Sequence, residues 1–211
     1  MRNKIRYFIR SKLLPDSLFL INGKREPKSL YLTFDDGPVQ GITEKLLDLL
    51  DKYQVKATFF IIGQRAKNDP DLIKRIHTRG HKIANHTYTH PAFHKISLPE
   101  KINEIISTNT LIKELTNEDC KIFRAPQGRW DVKLLIHLFR LKITAVHWSR
   151  DSKDYLKETS GKIVKRLIEE PVESGDILLF HDDDPRCIEV LETLIPYWQS
   201  QGFSLKVLEE K

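Results

Sequence analysis

The apolar residues of this chain follow two different spacings, which alternate from residue 30 to the C-terminus. Short, nearly continuous apolar runs such as LYLTF (30–34) and DILLF (176–180) predict buried strands. Segments such as 42–53, with apolar side chains every three or four residues, predict helices between the strands. The predicted strands are 30–34, 56–62, 82–86, 121–124, 142–148, 176–180 and 203–207.

Strands that alternate with helices form parallel sheets, because a crossover connection must return the chain to the same end of the sheet. Strands that are apolar along their whole length indicate a sheet that is covered on both faces. The pattern therefore predicts an α/β fold, with an open doubly wound sheet and a barrel as the two alternatives. In both, functional residues collect beyond the C-terminal ends of the strands.

Length and composition fit one globular domain with a basic extension. The chain has 211 residues, of which 40% are hydrophobic and 30% are charged. Residues 1–14 contain five basic side chains and no acidic one, and so account for most of the net charge of +6. We therefore divide the chain into a basic arm, residues 1–27, and a catalytic domain, residues 28–211. The nearly balanced charge of the remainder argues against a nucleic-acid partner.

The arm does not resemble a secretory signal, because basic residues recur through Lys12 and Pro15 interrupts the apolar stretch that follows. No run approaches the ~20 apolar residues of a membrane-spanning helix. We therefore expect a location in the cytoplasm or at the cytoplasmic membrane surface. On a helix, the apolar residues of segment 1–14 would share one face, which indicates peripheral contact with an anionic membrane. Packing of the arm on the domain, or a weakened export signal, are the alternatives.

Two cysteines, Cys120 and Cys187, are too few for a disulfide framework. We interpret them as free thiols of a reducing compartment, with a single bridge as the alternative.

Residues capable of acid–base or metal chemistry follow five of the predicted strands. They are Asp35 and Asp36, His86 and His90, Arg124, the pair Asp151 and Asp154 that follows Trp148, and finally His181. His86 and His90 are four residues apart, so one helical turn would place both imidazoles on one side. Two histidines and a carboxylate are a common ligand set for a catalytic divalent metal with an open position. The alternative is two solvated loop histidines.

Asp35 and Asp36 are neighbours at a strand end and should point to opposite sides, so one could bind a metal while the other faces a reacting water. The alternative is a simple turn, which Asp-Gly-Pro sequences favour. Arg124 is a suitable partner for a buried aspartate, or else forms a surface ion pair. His181 is a candidate general acid or a structural histidine. Asp151 could orient it, or could solvate a loop together with Asp154.

Together these segments resemble the motifs of the polysaccharide deacetylases of carbohydrate esterase family 4, the nodulation-type chitooligosaccharide deacetylase homology domain. The similar segments are TFDDGP (33–38), HTYTH (86–90), RAPQG (124–128), residues 148–155 and LFHD (179–182). The resemblance covers about residues 28–208, which is nearly the whole chain.

The resemblance implies a distorted (β/α)7-type barrel with its active site at the C-terminal ends of the strands. It implies a metal held by Asp36, His86 and His90, with Asp35 as the general base and His181 as the general acid. Arg124 would orient Asp35, and Asp151 would orient His181. The implied substrate-binding residues are Gln127, Trp148, Leu179 and Tyr155. Family members usually have an aromatic residue in place of Gln127 and often a tryptophan in place of Tyr155, and these differences concern substrate identity.

The activity implied by the resemblance is removal of N-linked acetyl groups from an amino-sugar glycan: a chitooligosaccharide, peptidoglycan or a lipid-linked aminosugar. The implied cofactor is one divalent metal ion. Zn²⁺ is the expected ion, and Co²⁺, Ni²⁺ and Mn²⁺ are the alternatives. Deformylation, opening of a cyclic amide and O-acetyl ester hydrolysis use the same site chemistry. A non-catalytic glycan-binding module is disfavoured, because the residues of the implied catalytic set are all present.

Overall fold

The structure is a computed structural model that describes residues 15–209. Its strands are β1 (Phe19–Leu20), β2 (Ser29–Asp35), β3 (Thr58–Ile61), β4 (Lys82–Asn85), β5 (Ile122–Phe123), β6 (Thr144–Val146), β7 (Arg150–Asp151), β8 (Asp176–His181) and β9 (Ser204–Lys206). Its helices are α1 (Thr43–Lys52), α2 (Gly63–Asn68), α3 (Pro70–Thr78), α4 (Leu98–Thr116), α5 (Val132–Arg140), α6 (Ser160–Glu169) and α7 (Arg186–Ser200).

All the paired strands are parallel, in the order β1-β6-β5-β4-β3-β2-β8-β7. Strand β2 pairs with three strands. Strand β8 lies along one edge, and β9 and β3 share the other edge at Ser29–Tyr31 and Thr33–Asp35, respectively. Within residues 15–209, β1 and β7 are not paired with each other, so the barrel is open between them. The parallel α/β barrel predicted from the sequence is confirmed.

Apolar side chains fill both the inside and the outside of the sheet. The barrel interior contains one buried residue from most strands: Leu20, Tyr31, Phe60, Ala84, Ile122, Val146 and Ile177. A larger cluster lies between the strands and helices α1, α3, α6 and α7. This two-sided burial explains why the strands are apolar throughout instead of alternating.

Three features differ from the sequence-based prediction. The predicted boundary at residue 27 does not coincide with the edge of the packed structure, because Phe19, Leu20 and Ile21 are buried and β1 pairs with β6. Helix α2 and the two-residue strands β1 and β7 were not predicted, since such short elements have no readable period. Residues 1–14 lie outside the described residues, and their membrane contact stays a prediction.

Two further predictions concern the membrane and the cysteines. Among the described residues, none of the helices has the length and the apolar character needed to cross a bilayer. Cys120 and Cys187 are both buried and are not joined in a disulfide.

Candidate metal centre and active site

The catalytic and metal-binding residues predicted from the sequence meet at one end of the barrel. Asp35 ends β2, His181 ends β8, and Arg124 directly follows β5. His86 directly follows β4. Because these strands are parallel, their C-terminal ends open onto the same face, where barrel enzymes place their chemistry.

Asp36, His86 and His90 form a group that could hold a metal ion. One ligand atom from each lies within 4.8 Å of the others. Oδ1 of Asp36 is 3.4 Å from Nε2 of His86 and 3.3 Å from Nε2 of His90. This arrangement of two imidazoles and one carboxylate leaves room for a further ligand, as in catalytic metal sites.

Two observations indicate that the group is built for a cation. Oδ1 of Asp36 is buried and has no hydrogen-bond partner among the described residues. Nδ1 of His86 lies 2.9 Å from the carbonyl oxygen of Arg124. In a neutral imidazole this contact places the proton on Nδ1, so Nε2 presents a lone pair to Asp36. Acceptors that face one another in this way are satisfied by a metal ion.

The charges around Asp36 keep its carboxylate ionised. Burial raises the pKa of Asp36, but in the metal-free protein protonated His86, together with the positive charges of His90 and His181, outweighs burial and lowers this pKa below its ordinary value. An ionised carboxylate is the form that binds a metal.

The two histidines converge through a loop and not through a helical turn, which corrects the sequence-based interpretation. Thr87 and His90 have left-handed backbones, with φ of 74° and 54°. Asn85 Oδ1 accepts a hydrogen bond from the Thr87 backbone at 2.7 Å, and Thr87 Oγ1 accepts one from the His90 backbone at 3.1 Å. These bonds close a tight turn that brings the rings to a centroid separation of 5.0 Å.

Glu104 on α4 holds this loop from outside, and the sequence analysis did not identify it. Its Oε2 accepts hydrogen bonds from the backbone N–H groups of Tyr88 and Thr89, at 2.8 Å and 2.7 Å. Its Oε1 accepts a third bond from the Thr89 hydroxyl at 2.9 Å. Glu104 therefore acts as a positioning residue for the segment between the two candidate ligands.

We expect Glu104→Ala to weaken metal binding by about 10- to 100-fold, the usual effect of removing an outer-shell partner. The reason is that the loop loses three hydrogen bonds and His90 is no longer held beside His86. Metal titration followed by calorimetry measures the change. The matched control is Glu114→Ala, because Glu114 is exposed on the same helix. Equal metal affinities for the two variants would contradict the role given to Glu104.

Asp35 is paired with Arg124 inside the protein. The guanidinium is fully buried, donates to Asp35 Oδ1 at 2.5 Å and to Thr33 Oγ1 at 2.9 Å, and lies 4.0 Å from the centre of the Phe60 ring. The second oxygen, Oδ2, lies 3.7 Å from Nε2 of His86. Arg124 thus fixes one oxygen of Asp35 and leaves the other toward the metal group.

The partner of His181 is Asp154, not Asp151 as the resemblance implied. Asp154 Oδ1 lies 2.7 Å from Nδ1 of His181, and its Oδ2 accepts a hydrogen bond from the His181 backbone at 2.8 Å. Asp151 instead accepts hydrogen bonds from the Tyr155 hydroxyl at 3.2 Å and from the Lys153 backbone at 2.9 Å. Lys153 has a left-handed backbone, with φ of 58°, at the turn between the two aspartates.

Asp154 changes the acidity of His181. Burial lowers the pKa of the imidazole, but the hydrogen bond and charge of Asp154, together with the charges of Asp35 and Asp36, raise it to about 9. His181 is therefore protonated at neutral pH and can donate a proton.

A cleft of about 340 Å³ lies beside His181. Among the predicted substrate-binding residues, Tyr155 lines this cleft, and its ring meets the His181 ring edge to face at 5.7 Å. Gln127 is exposed on the loop after β5, Trp148 packs 5.8 Å from the Arg124 guanidinium, and Leu179 is buried in β8. None of these three lines the cleft.

The loop that carries Asp35 and Asp36 is held close to Asp182, another residue that the sequence analysis left without a role. A Cβ atom on Gly37 would come within 2.1 Å of the Asp182 carboxylate, so this position requires glycine. Asp182 Oδ2 accepts a hydrogen bond from Thr43 Oγ1 at 2.7 Å, and Thr43 Oγ1 accepts one from the Val39 backbone at 2.8 Å. The chain of bonds fixes the exit of the loop.

Comparison with known proteins agrees with this geometry. The family model for polysaccharide deacetylase matches residues 22–146. A chitooligosaccharide deacetylase of Bradyrhizobium sp. is 33% identical over 87% of this chain and 90% of its own length. A peptidoglycan-N-acetylglucosamine deacetylase of Bacillus cereus is 31% identical, over 87% of this chain and 68% of its own. The crystal structure of the Bc1960 peptidoglycan N-acetylglucosamine deacetylase superposes with a TM-score of 0.87 at 31% identity, covering 90% of this chain and 91% of that one.

The chain therefore belongs to the polysaccharide deacetylase family, in agreement with the resemblance seen in its five sequence motifs. It is a hydrolase of the kind that removes N-acetyl groups from glycans.

Proposed function

We propose that this protein removes acetyl groups from the nitrogen of an amino-sugar glycan. We further propose that Asp36, His86 and His90 hold one divalent metal ion, for which Zn²⁺ is the leading candidate. One observation carries the proposal: the buried and unpartnered Oδ1 of Asp36 faces two imidazole nitrogens, with the Asp35–Arg124 pair beside it. Two histidines and a carboxylate are the donor set of zinc hydrolases, and Co²⁺, Ni²⁺ and Mn²⁺ accept the same donors.

When bound at this position, a divalent metal would lower the pKa of a bound water and polarise the amide carbonyl. The residues of the chain supply the proton transfers. Asp35 accepts the proton of the attacking water on Oδ2, because Oδ1 is engaged by Arg124. His181 gives a proton to the departing nitrogen from Nε2, because Nδ1 is held by Asp154. Protonation of the nitrogen is essential, since an amide anion is a very poor leaving group.

Acetate release is the direct test. The metal-loaded protein is incubated separately with chitooligosaccharides, peptidoglycan fragments and lipid-linked aminosugars, and the acetate is measured. We expect release from at least one of the three glycan classes. Formate release instead, or hydrolysis of O-acetyl esters without any N-deacetylation, would replace this function with one of the alternatives that share the site chemistry.

We expect Asp154→Asn to move the basic limb of the pH profile of kcat/KM to lower pH. The pKa of His181 is raised to about 9 with the help of the Asp154 charge, and a histidine is protonated below its pKa. Loss of the charge lowers that pKa, so His181 loses its acidic proton at a lower pH. Asp151→Asn is the matched control, since Asp151 binds Tyr155 and Lys153 instead. If the basic limb shifts in Asp151→Asn and does not shift in Asp154→Asn, Asp151 is the residue that orients His181, as the resemblance implied.

A further inference from the structure

Helix α5 presents apolar side chains to solvent as well as to the core. Leu134 and Leu138 are fully buried against the sheet. On the outer side of α5 three large apolar residues are exposed, and a fourth is exposed just beyond the end of the helix. Together we call them the α5 patch: Val132 (72% exposed), Ile136 (46%), Phe139 (62%) and Leu141 (45%). Within the helix, the patch positions recur every three or four residues, so they share one face. Half of the exposed large apolar residues in the described part of the chain lie here, and such concentration marks an interaction surface.

The segment that contains the α5 patch also carries positive charge. Four exposed basic residues lie in the same segment: Arg129, Lys133, Arg140 and Lys142. The one acidic residue of the segment 129–142 is Asp131, which is paired with Lys101 at 2.6 Å and caps α5 through the Leu134 backbone. The surface is therefore both apolar and cationic.

The positive charge of the segment 129–142 determines which partner can cover the α5 patch. The basic arm enters the barrel at this flank, because β1 pairs with β6, and β6 is the strand that follows α5. Residues 1–14 contain five basic side chains and no acidic one, so laying them over the α5 patch would bring like charges together. A second copy placed face to face would repeat the same repulsion. An anionic surface with an apolar interior complements both the patch and the arm.

We propose that the α5 patch docks the protein on an anionic lipid bilayer. The apolar side chains enter the boundary between headgroups and acyl chains, while the basic residues meet the lipid phosphates. The cleft beside His181 follows β8, and in the strand order β4, β3 and β2 separate β8 from β5, the strand that precedes α5 along the chain.

Co-sedimentation of the full chain with vesicles tests the docking surface. The vesicles are phosphatidylcholine alone, or equal parts of phosphatidylcholine and phosphatidylglycerol. We expect binding to the anionic vesicles at low salt and a marked loss at high salt. The double variant Ile136→Glu/Phe139→Glu should bind at least ~10-fold more weakly, since it places two carboxylates among the lipids. Ile168→Glu, at an exposed apolar position on α6, is the control and should bind as wild type.

A second pair of variants separates the charge contribution. Lys133→Gln/Lys142→Gln should weaken binding by at least ~10-fold at low salt, because each basic residue near an anionic leaflet contributes to affinity. Lys162→Gln/Lys165→Gln, two exposed residues of α6, should leave it unchanged. Circular dichroism melting curves of all variants show that the fold is intact.

Two results would overturn the proposal. Wild-type binding by Ile136→Glu/Phe139→Glu would assign membrane contact to residues 1–14 alone. A wild-type protein that ignores anionic vesicles and elutes as a dimer, and that becomes a monomer in the same variant, would show that a second copy covers the patch.

Discussion

Asp35→Asn is expected to reduce deacetylation by about 10²- to 10⁴-fold while metal remains bound. Asparagine cannot accept the proton of the attacking water, and the proposed metal-binding carboxylate belongs to the neighbouring residue, Asp36. The variant also leaves the buried Arg124 guanidinium without its carboxylate, which costs about 3–5 kcal/mol of folding free energy. Steady-state kinetics, metal content by elemental analysis and a melting curve measure the three effects.

Asp71→Asn is the matched control. Asp71 is exposed and, among the described residues, pairs only with Lys74, so this variant should leave all three readings unchanged. Turnover by Asp35→Asn within tenfold of wild type would give the base role to another group. Loss of metal together with loss of turnover would instead make Asp35 a ligand.

His86→Ala should abolish turnover and lower metal affinity by more than ~100-fold, which exceeds the usual effect of an outer-shell change. In the proposed site His86 offers Nε2, which faces Asp36, and its Nδ1 contact with the Arg124 carbonyl fixes the ring. Added Zn²⁺ should raise the Tm of the wild type, because a ligand that binds the folded state stabilises it by about 2.7 kcal/mol at one hundred times its Kd. That rise should disappear in His86→Ala.

His94→Ala is the matched control, because His94 is an exposed histidine a few residues further along the same loop. It should keep the metal, the turnover and the Tm response. A metal response in His86→Ala equal to that of the wild type would show that the ion binds elsewhere.

The positions of the main site residues could be predicted because parallel strands all end at one face. Asp35, Arg124 and His181 each stand at a strand end, and the pattern of apolar runs locates those ends to within a residue or two. The sequence analysis assigned Asp151 as the partner of His181, whereas in the structure the partner is Asp154. The choice between them depends on the left-handed turn at Lys153, which no apolar period reveals.

The sequence also could not predict which distant segments of the chain contact one another. Glu104 lies on α4 and supports the loop between His86 and His90, yet in the sequence it is one of several glutamates in that region. Residues 19–20 were assigned to the arm because two residues are too few to show a strand period. Their burial becomes visible only once β6 is in place beside them.

The left-handed backbone of the loops has a consequence for protein engineering. Asp36, Thr87 and His90 are non-glycine residues with φ of 76°, 74° and 54°, a conformation that costs about 1–2 kcal/mol for each L-residue. Glycine would relieve this strain, but at Asp36 and His90 it would remove a candidate ligand. Substitutions intended to raise the Tm should therefore avoid the loop that contains Asp36 and the loop that contains Thr87 and His90. They should begin at a left-handed residue remote from both loops, such as the exposed Gln54 after α1, where glycine removes strain and no chemistry is lost.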